Sequence, residues 1–201
     1  MKRIDNNNCY SEKEASFMKW GQDIRATMLK PLLLLLVKCR ITADILTLLS
    51  LLSGLAGAIA LYHSVPLGLS LILLHVIFDG IDGPLARMTQ TDSNEGSFTD
   101  TMSDQLVIAA VGVVLIDLQI VSALAGLLYI LSYTVVVGFA MVRNALAIPY
   151  SWLIRPRFMV YVWLPVEFYL LEGSLVYLLY LFSLMLIYKS ITGFVRIKNT
   201  L

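Results

Sequence analysis

Charge is scarce in this sequence: Asp, Glu, Lys and Arg together make up 14% of its 201 residues. Soluble domains carry about 25%, so too few charged side chains are present to cover a water-facing surface. Hydrophobic residues make up 58% and mean hydropathy is +0.78, which points to a bilayer as the solvent. Cysteine is almost missing. Cys9 and Cys39 have neither the count of a disulfide framework nor metal-ligand spacing, and both are expected to be ordinary residues. The polar start MKRIDNNNCYSEKEAS holds no short apolar core with a small-residue cleavage site, so no removable signal peptide is expected. Internal repeats, low-complexity tracts and a second domain are also lacking, and no nucleic-acid partner is expected.

What remains is a series of apolar runs near ~20 residues, the length that crosses ~30 Å of hydrocarbon. Six are expected, at roughly 43–62, 66–84, 98–117, 121–142, 152–171 and 174–195. Before them, residues 16–38 mix aromatic and aliphatic side chains with spaced cations and are broken by Pro31, which suits a helix lying in the interface. The expected fold is therefore an all-α integral membrane protein, six transmembrane helices preceded by an interfacial amphipathic helix. It divides into an N-terminal segment at 1–40 and a six-span domain at 41–201.

Cation placement orients the chain. Eight of the fifteen Lys and Arg lie in the first forty residues, and none lies in the turns near 63–66, 117–121 and 171–174. Because Lys and Arg in short loops stay on the cytoplasmic side, those three turns are expected outside. Both termini, and the loops holding Arg87 and Arg143, are then cytoplasmic.

Residues 79–104 read DGIDGPLARMTQTDSNEGSFTDTMSD. Asp79 and Asp82 are three apart at the inner end of the second run, and Asp100 and Asp104 are four apart at the inner start of the third. Both spacings put side chains on one helical face. Two antiparallel helices joined by this short loop would let the four carboxylates converge just inside the membrane. An acidic side chain at mid-bilayer costs about 2.5 to 3.5 kcal/mol even on a lenient scale, so four together need positive charge, and Arg87 alone cannot supply it. Oxygen-rich clusters select hard divalent cations, Mg²⁺ or Mn²⁺ where a diphosphate also binds. Two such ions would clamp the attacking and leaving oxygens of phosphoryl chemistry. The bland alternative, aspartates merely solvated at helix ends, accounts for Asp92 or Asp100 but not for two helically paired sets. Gly83 and Gly96 flank them where a nucleotide would need close backbone approach, or serve simple helix packing.

These residues resemble the signature of the CDP-alcohol phosphatidyltransferase family: two Asp separated by two residues, then Gly, Ala-Arg, a spacer, Gly and two further Asp. Here they are Asp79, Asp82, Gly83, Ala86, Arg87, Gly96, Asp100 and Asp104. The motif covers 26 residues, and the similarity in topology extends over nearly the whole chain. The resemblance implies that Asp79, Asp82 and Asp100 hold metals, that Asp104 both touches the second metal and acts as general base, and that Arg87 binds the donor diphosphate. It implies a cytidine-holding turn at the start of the first span. There the family's Pro and Asn are replaced, in Thr42-Ala43-Asp44-Ile45-Leu46-Thr47, by Ala43 and Asp44. Ser93 stands where a small hydroxyl residue contacts the donor. The implied activity is metal-dependent transfer of a phosphatidyl group from CDP-diacylglycerol to a small alcohol with release of CMP, in a homodimer among membrane lipids. Transfer of phosphocholine or phosphoethanolamine from a CDP-aminoalcohol is the enzymatic rival, and a cation carrier the non-enzymatic one.

Arg143, Arg155 and Arg157 share the expected side of the aspartates, and their planar forks suit an anionic acceptor as well as lipid headgroups. His75, four residues before Asp79, is either a packed neutral histidine or a donor to a carboxylate. Glu167, close to Pro165, either lines an acceptor cavity or sits in a helix interface.

Overall fold

The computed structural model describes residues 28–146, 148 and 156–200. Within them lie seven helices and no strand: α1 (residues 28–38), α2 (Ala43–Ala60), α3 (Val65–Met88), α4 (Asn94–Asp117), α5 (Ala123–Ala145), α6 (Pro156–Tyr169) and α7 (Ser174–Lys198). Five of them, α2 to α5 and α7, are long and apolar enough to cross a membrane, and the chain is a multi-pass membrane protein. The described α6 has 14 residues, about 21 Å at 1.5 Å per residue.

Hydroxyl side chains start these helices. Thr42, Ser93 and Ser122 each accept a hydrogen bond from the backbone N–H three residues on, at 3.3, 3.0 and 3.3 Å, satisfying a donor that the helix itself cannot. Arg40, Gln90 and Gln119 take left-handed backbone angles after α1, α3 and α4, with φ of 58°, 57° and 59°. Each lets the next N–H fold back five residues, as in Thr91 N–H to the Ala86 carbonyl at 2.9 Å. α1 runs through Pro31 without a break over 28–38. α3 likewise passes the expected end at residue 84 and reaches Met88 despite Pro84, so Arg87 rides on the same helix as Asp79 and Asp82.

α2 is the central element, packing closely on α3 and also on α4. A methyl group added at Gly57 would lie 3.0 Å from the Ile72 backbone nitrogen, and one at Gly68 would lie 3.0 Å from that of Leu61. The α2 and α3 backbones therefore touch. α3 and α4 do not pack along their lengths, contrary to the neighbouring pair expected from their short loop, because α2 occupies the space between them. α5 pairs with α7, and α6 bridges α3 and α7. The main core runs through Ile72, Val107, Val111, Leu115, Leu164 and Leu179. In a smaller cluster, Leu33 of α1 packs with Leu46, Ile81 and Leu85, against the α3 turn that bears the aspartates.

At the α6–α7 turn, Glu167 is 3% exposed and accepts from Gly173 N–H and Leu175 N–H at 2.6 Å each and from the Ser174 hydroxyl at 3.0 Å. Gly173 reaches φ 80° to make this possible. Glu167 thus caps α7.

The seam predicts its own sensitivity. Gly57→Ala should destabilise the protein by about 1–3 kcal/mol, the usual cost of overpacking, because a backbone atom cannot yield. Gly138→Ala, whose added methyl meets nothing within 4 Å, should leave stability unchanged or raised. Thermal unfolding in detergent checks the pair, and equal effects would show that the α2–α3 contact is not close.

Candidate functional site

Asp79 on α3 and Asp100 and Asp104 on α4 bring one carboxylate oxygen each to within 4.8 Å of one another. The i, i+4 spacing of Asp100 and Asp104 stacks them on one face, and Asp79 meets them from α3. The three-residue step from Asp79 to Asp82 falls about 60° short of a full turn, so Asp82 diverges toward α2. Its Oδ2 accepts from the Thr47 hydroxyl at 2.8 Å and its Oδ1 from Gly83 N–H at 2.6 Å. Three aspartates therefore converge where four were expected, and the fourth is held beside them.

Positive charge arrives from a distant part of the chain. Arg157, the second residue of α6, donates from Nη2 to both oxygens of Asp79, at 3.1 and 3.0 Å, and its Nη1 pairs with Oδ2 of Asp104. Its side chain is 7% exposed, and its guanidinium lies 4.7 Å from the Phe158 ring centre. One guanidinium thus supplies the compensation that Arg87 alone could not. Arg87 is exposed near the end of α3, with Nη1 3.5 Å from where a methyl group on Gly83 would lie. Ala86 is half-buried beside it.

The donor set is all oxygen, and a cation already stands among Asp79 and Asp104 in the form of the guanidinium. These residues fit a hard divalent ion. Asp79, Asp100 and Asp104 would hold it, with Asp82 three residues from Asp79 on the same helix.

Next to this cluster a cleft opens between α2 and α4, lined by Asp44, Thr47, Ser93, Gly96, Thr99 and Ser103. Asp44, Ser93 and Gly96 were expected at a donor site. Thr42 caps α2 one turn below. A methyl group at Gly96 would come to 3.3 Å of the Ser93 oxygen, so glycine here leaves room for the Ser93 cap. Thr47, the last residue of the run expected to hold cytidine, lines the cleft as well, whereas Thr99 and Ser103 were missed.

The remaining candidates separate. Arg143 is buried on α5, donating from Nε to the Phe139 carbonyl at 3.2 Å and reaching toward Gly193 of α7. Arg155 lies outside the described residues. His75 is 2% exposed and engages Ser50 of α2 through Nδ1, at 2.8 Å to the hydroxyl, with its ring edge-on to Tyr161. That is the packed histidine rather than the carboxylate donor.

A family model described as CDP-alcohol phosphatidyltransferase matches residues 40–195. Among solved structures, the chain is similar to a Mycobacterium tuberculosis phosphatidylinositol phosphate synthase (PgsA1) with CDP-DAG bound. The TM-score is 0.67 at 20% identity, over 82% of this chain and 90% of that one. The same enzyme in complex with manganese and citrate aligns with a TM-score of 0.67 at 19% identity, over 83% and 87% of the two chains. No curated protein matches the sequence.

Thr47 offers a test of how the site is held. Thr47→Val should strand an oxygen of the buried Asp82 and lower stability by about 1–3 kcal/mol, the cost of an unsatisfied buried acceptor. Thr47→Ser should recover most of it. Thermal unfolding of the two variants decides, and a Val variant as stable as the parent would mean that Asp82 does not depend on Thr47.

Proposed function

Since the chain belongs to the CDP-alcohol phosphatidyltransferase family, we propose that it transfers the phosphatidyl group of CDP-diacylglycerol to the hydroxyl of a small polar alcohol and releases CMP. Family membership makes it a phosphotransferase of phospholipid synthesis. The observation that carries the finer reading is the convergence of Asp79, Asp100 and Asp104 beside the α2–α4 cleft. A solved relative in fold carries CDP-DAG and another form of it manganese, which supports the same donor and a divalent ion here.

In this reading Asp79, Asp82, Asp100 and Asp104 hold two ions, Mg²⁺ or Mn²⁺. When bound, the ions neutralise the diphosphate and stabilise charge on the attacking and leaving oxygens. Asp44, Ser93 and Gly96 line the cytidine end, with Thr42 fixing the turn. Gly83 and Ala86 leave the α3 surface low, and Arg87 reaches over it to the diphosphate. Asp104 accepts the proton of the acceptor hydroxyl. The acceptor oxygen then bonds to the phosphorus that bears diacylglycerol, and the bond from that phosphorus to the CMP oxygen breaks. Arg157, Arg143 and Arg155 are the residues proposed to offer guanidinium forks to an anionic acceptor. The rival cargo, a phospho-aminoalcohol, would use the same site. A cation carrier would need acidic groups along the membrane depth, whereas Glu167 is taken up in a helix cap.

The chain is proposed to have six spans with α1 in the interface, α6 completing the sixth, both termini and the aspartates on the cytoplasmic side, and a homodimeric assembly. Its domains are then the segment at 1–40 and the six-span unit at 41–201.

Labelled CDP-diacylglycerol, Mg²⁺ or Mn²⁺ and a panel of alcohols, among them glycerol phosphate, inositol phosphate and serine, should yield CMP with at least one acceptor. CMP release with none of them, alongside turnover of a CDP-aminoalcohol, would reverse the cargo. Asp79→Asn should abolish turnover. Asp104→Asn should retain CDP-lipid binding while losing roughly 10²- to 10⁴-fold in rate, the range of positioned proton transfer. If its rate stays within a few-fold while donor affinity collapses, Asp104 is only a ligand. For orientation, Ser64→Cys should react with an impermeant thiol reagent from outside and Ser93→Cys only after permeabilisation, and the opposite pattern would invert the topology.

A further inference from the structure

Arg157 engages two of the carboxylates proposed to hold the divalent ions, Asp79 and Asp104. Its Nη2 takes both oxygens of Asp79, and its Nη1 takes Oδ2 of Asp104, the carboxylate proposed to accept the acceptor's proton. The three candidate ligand oxygens lie within 4.8 Å of one another, so an ion placed among them would sit in the first contact shell of the guanidinium. Two cations cannot share that space, because little water reaches it to screen them. A carboxylate oxygen that is receiving a guanidinium N–H is also a poor proton acceptor.

We infer that Arg157 is an internal cation that divalent metal must displace. In the metal-free protein it ties Asp79 of α3 to Asp104 of α4. Ions arriving among Asp79, Asp100 and Asp104 expel it, which frees the Asp104 carboxylate and turns the guanidinium toward the acceptor side. The inference rests on the reading above in which these aspartates hold divalent ions. Arg157 is the second residue of α6, and a change of rotamer would turn its side chain without moving the helix. Because coupling between two binding events is reciprocal, whatever holds the guanidinium away from the aspartates, an anionic acceptor above all, also tightens metal binding. The arginine is thus a positioning residue linking metal occupancy, base availability and acceptor capture.

The measurement is Mn²⁺ binding to the full chain in detergent, without CDP-lipid, followed by electron paramagnetic resonance. Arg157→Gln should bind Mn²⁺ more tightly than the parent by roughly 5- to 150-fold, the usual span of coupled binding events. Arg157→Lys, which keeps the charge but loses the fork, should lie between them. Equal or weaker binding in Arg157→Gln overturns the inference. A second measurement needs no variant: phenylglyoxal should modify Arg157 of the parent protein faster when Mn²⁺ is present, read by mass spectrometry on that peptide. Unchanged or greater protection by Mn²⁺ also overturns it. Asp100→Asn separates the two layers of argument. If the parent shows no Mn²⁺ binding that this variant abolishes, the metal reading itself falls. If such binding exists but is indifferent to Arg157, only the displacement falls.

Discussion

Burying negative charge at one end of an apolar bundle is the constraint around which this protein is arranged. Four carboxylates within two short sequence segments would repel one another and forgo hydration. The folded chain answers with separate means. Asp82 is satisfied by neutral donors, the Thr47 hydroxyl and the Gly83 N–H. Asp79 and Asp104 share the guanidinium of Arg157. The first solution draws on donors that belong to packed helices. The second is a cation lying on two of the proposed metal ligands. In the reading proposed above, the first partner fixes the geometry and the second makes way for metal.

Much of this was legible from local spacing. The helices begin within about four residues of the apolar runs, and Asp100 and Asp104 stack as their spacing indicates, whereas Asp82 turns from Asp79 toward Thr47. The resemblance carried by Asp79 through Asp104 agrees with the family match over residues 40–195. What could not be read depends on distance along the chain. Arg157 stands 78 residues from Asp79, and no periodicity links them. The intrusion of α2 between α3 and α4 follows from glycines whose packing value depends on what they face. Glu167 looked like a costly intramembrane charge, yet it caps a helix start formed only after Gly173 turns left-handed. In each case a short loop or an isolated polar residue has several structural solutions, and tertiary packing selects among them.

The same packing separates the two halves of the work. α2 supplies Thr47 and Asp44 on the cleft side and a row of small residues on the α3 side. The α5–α7 pair and α6 complete the wall from which Arg157 reaches inward. Lipid-facing positions such as Leu73, Leu131 and Leu184 are exposed by 60% or more and carry no comparable demand. The contact of the α2 and α3 backbones at Gly57 and Gly68 therefore has an evolutionary consequence. Along that line no side chain can grow without parting the helices that set Thr47 against Asp82, whereas on the outer faces almost any apolar residue will serve. Sequence drift in descendants of this chain should run freely around the circumference and stall at the seam.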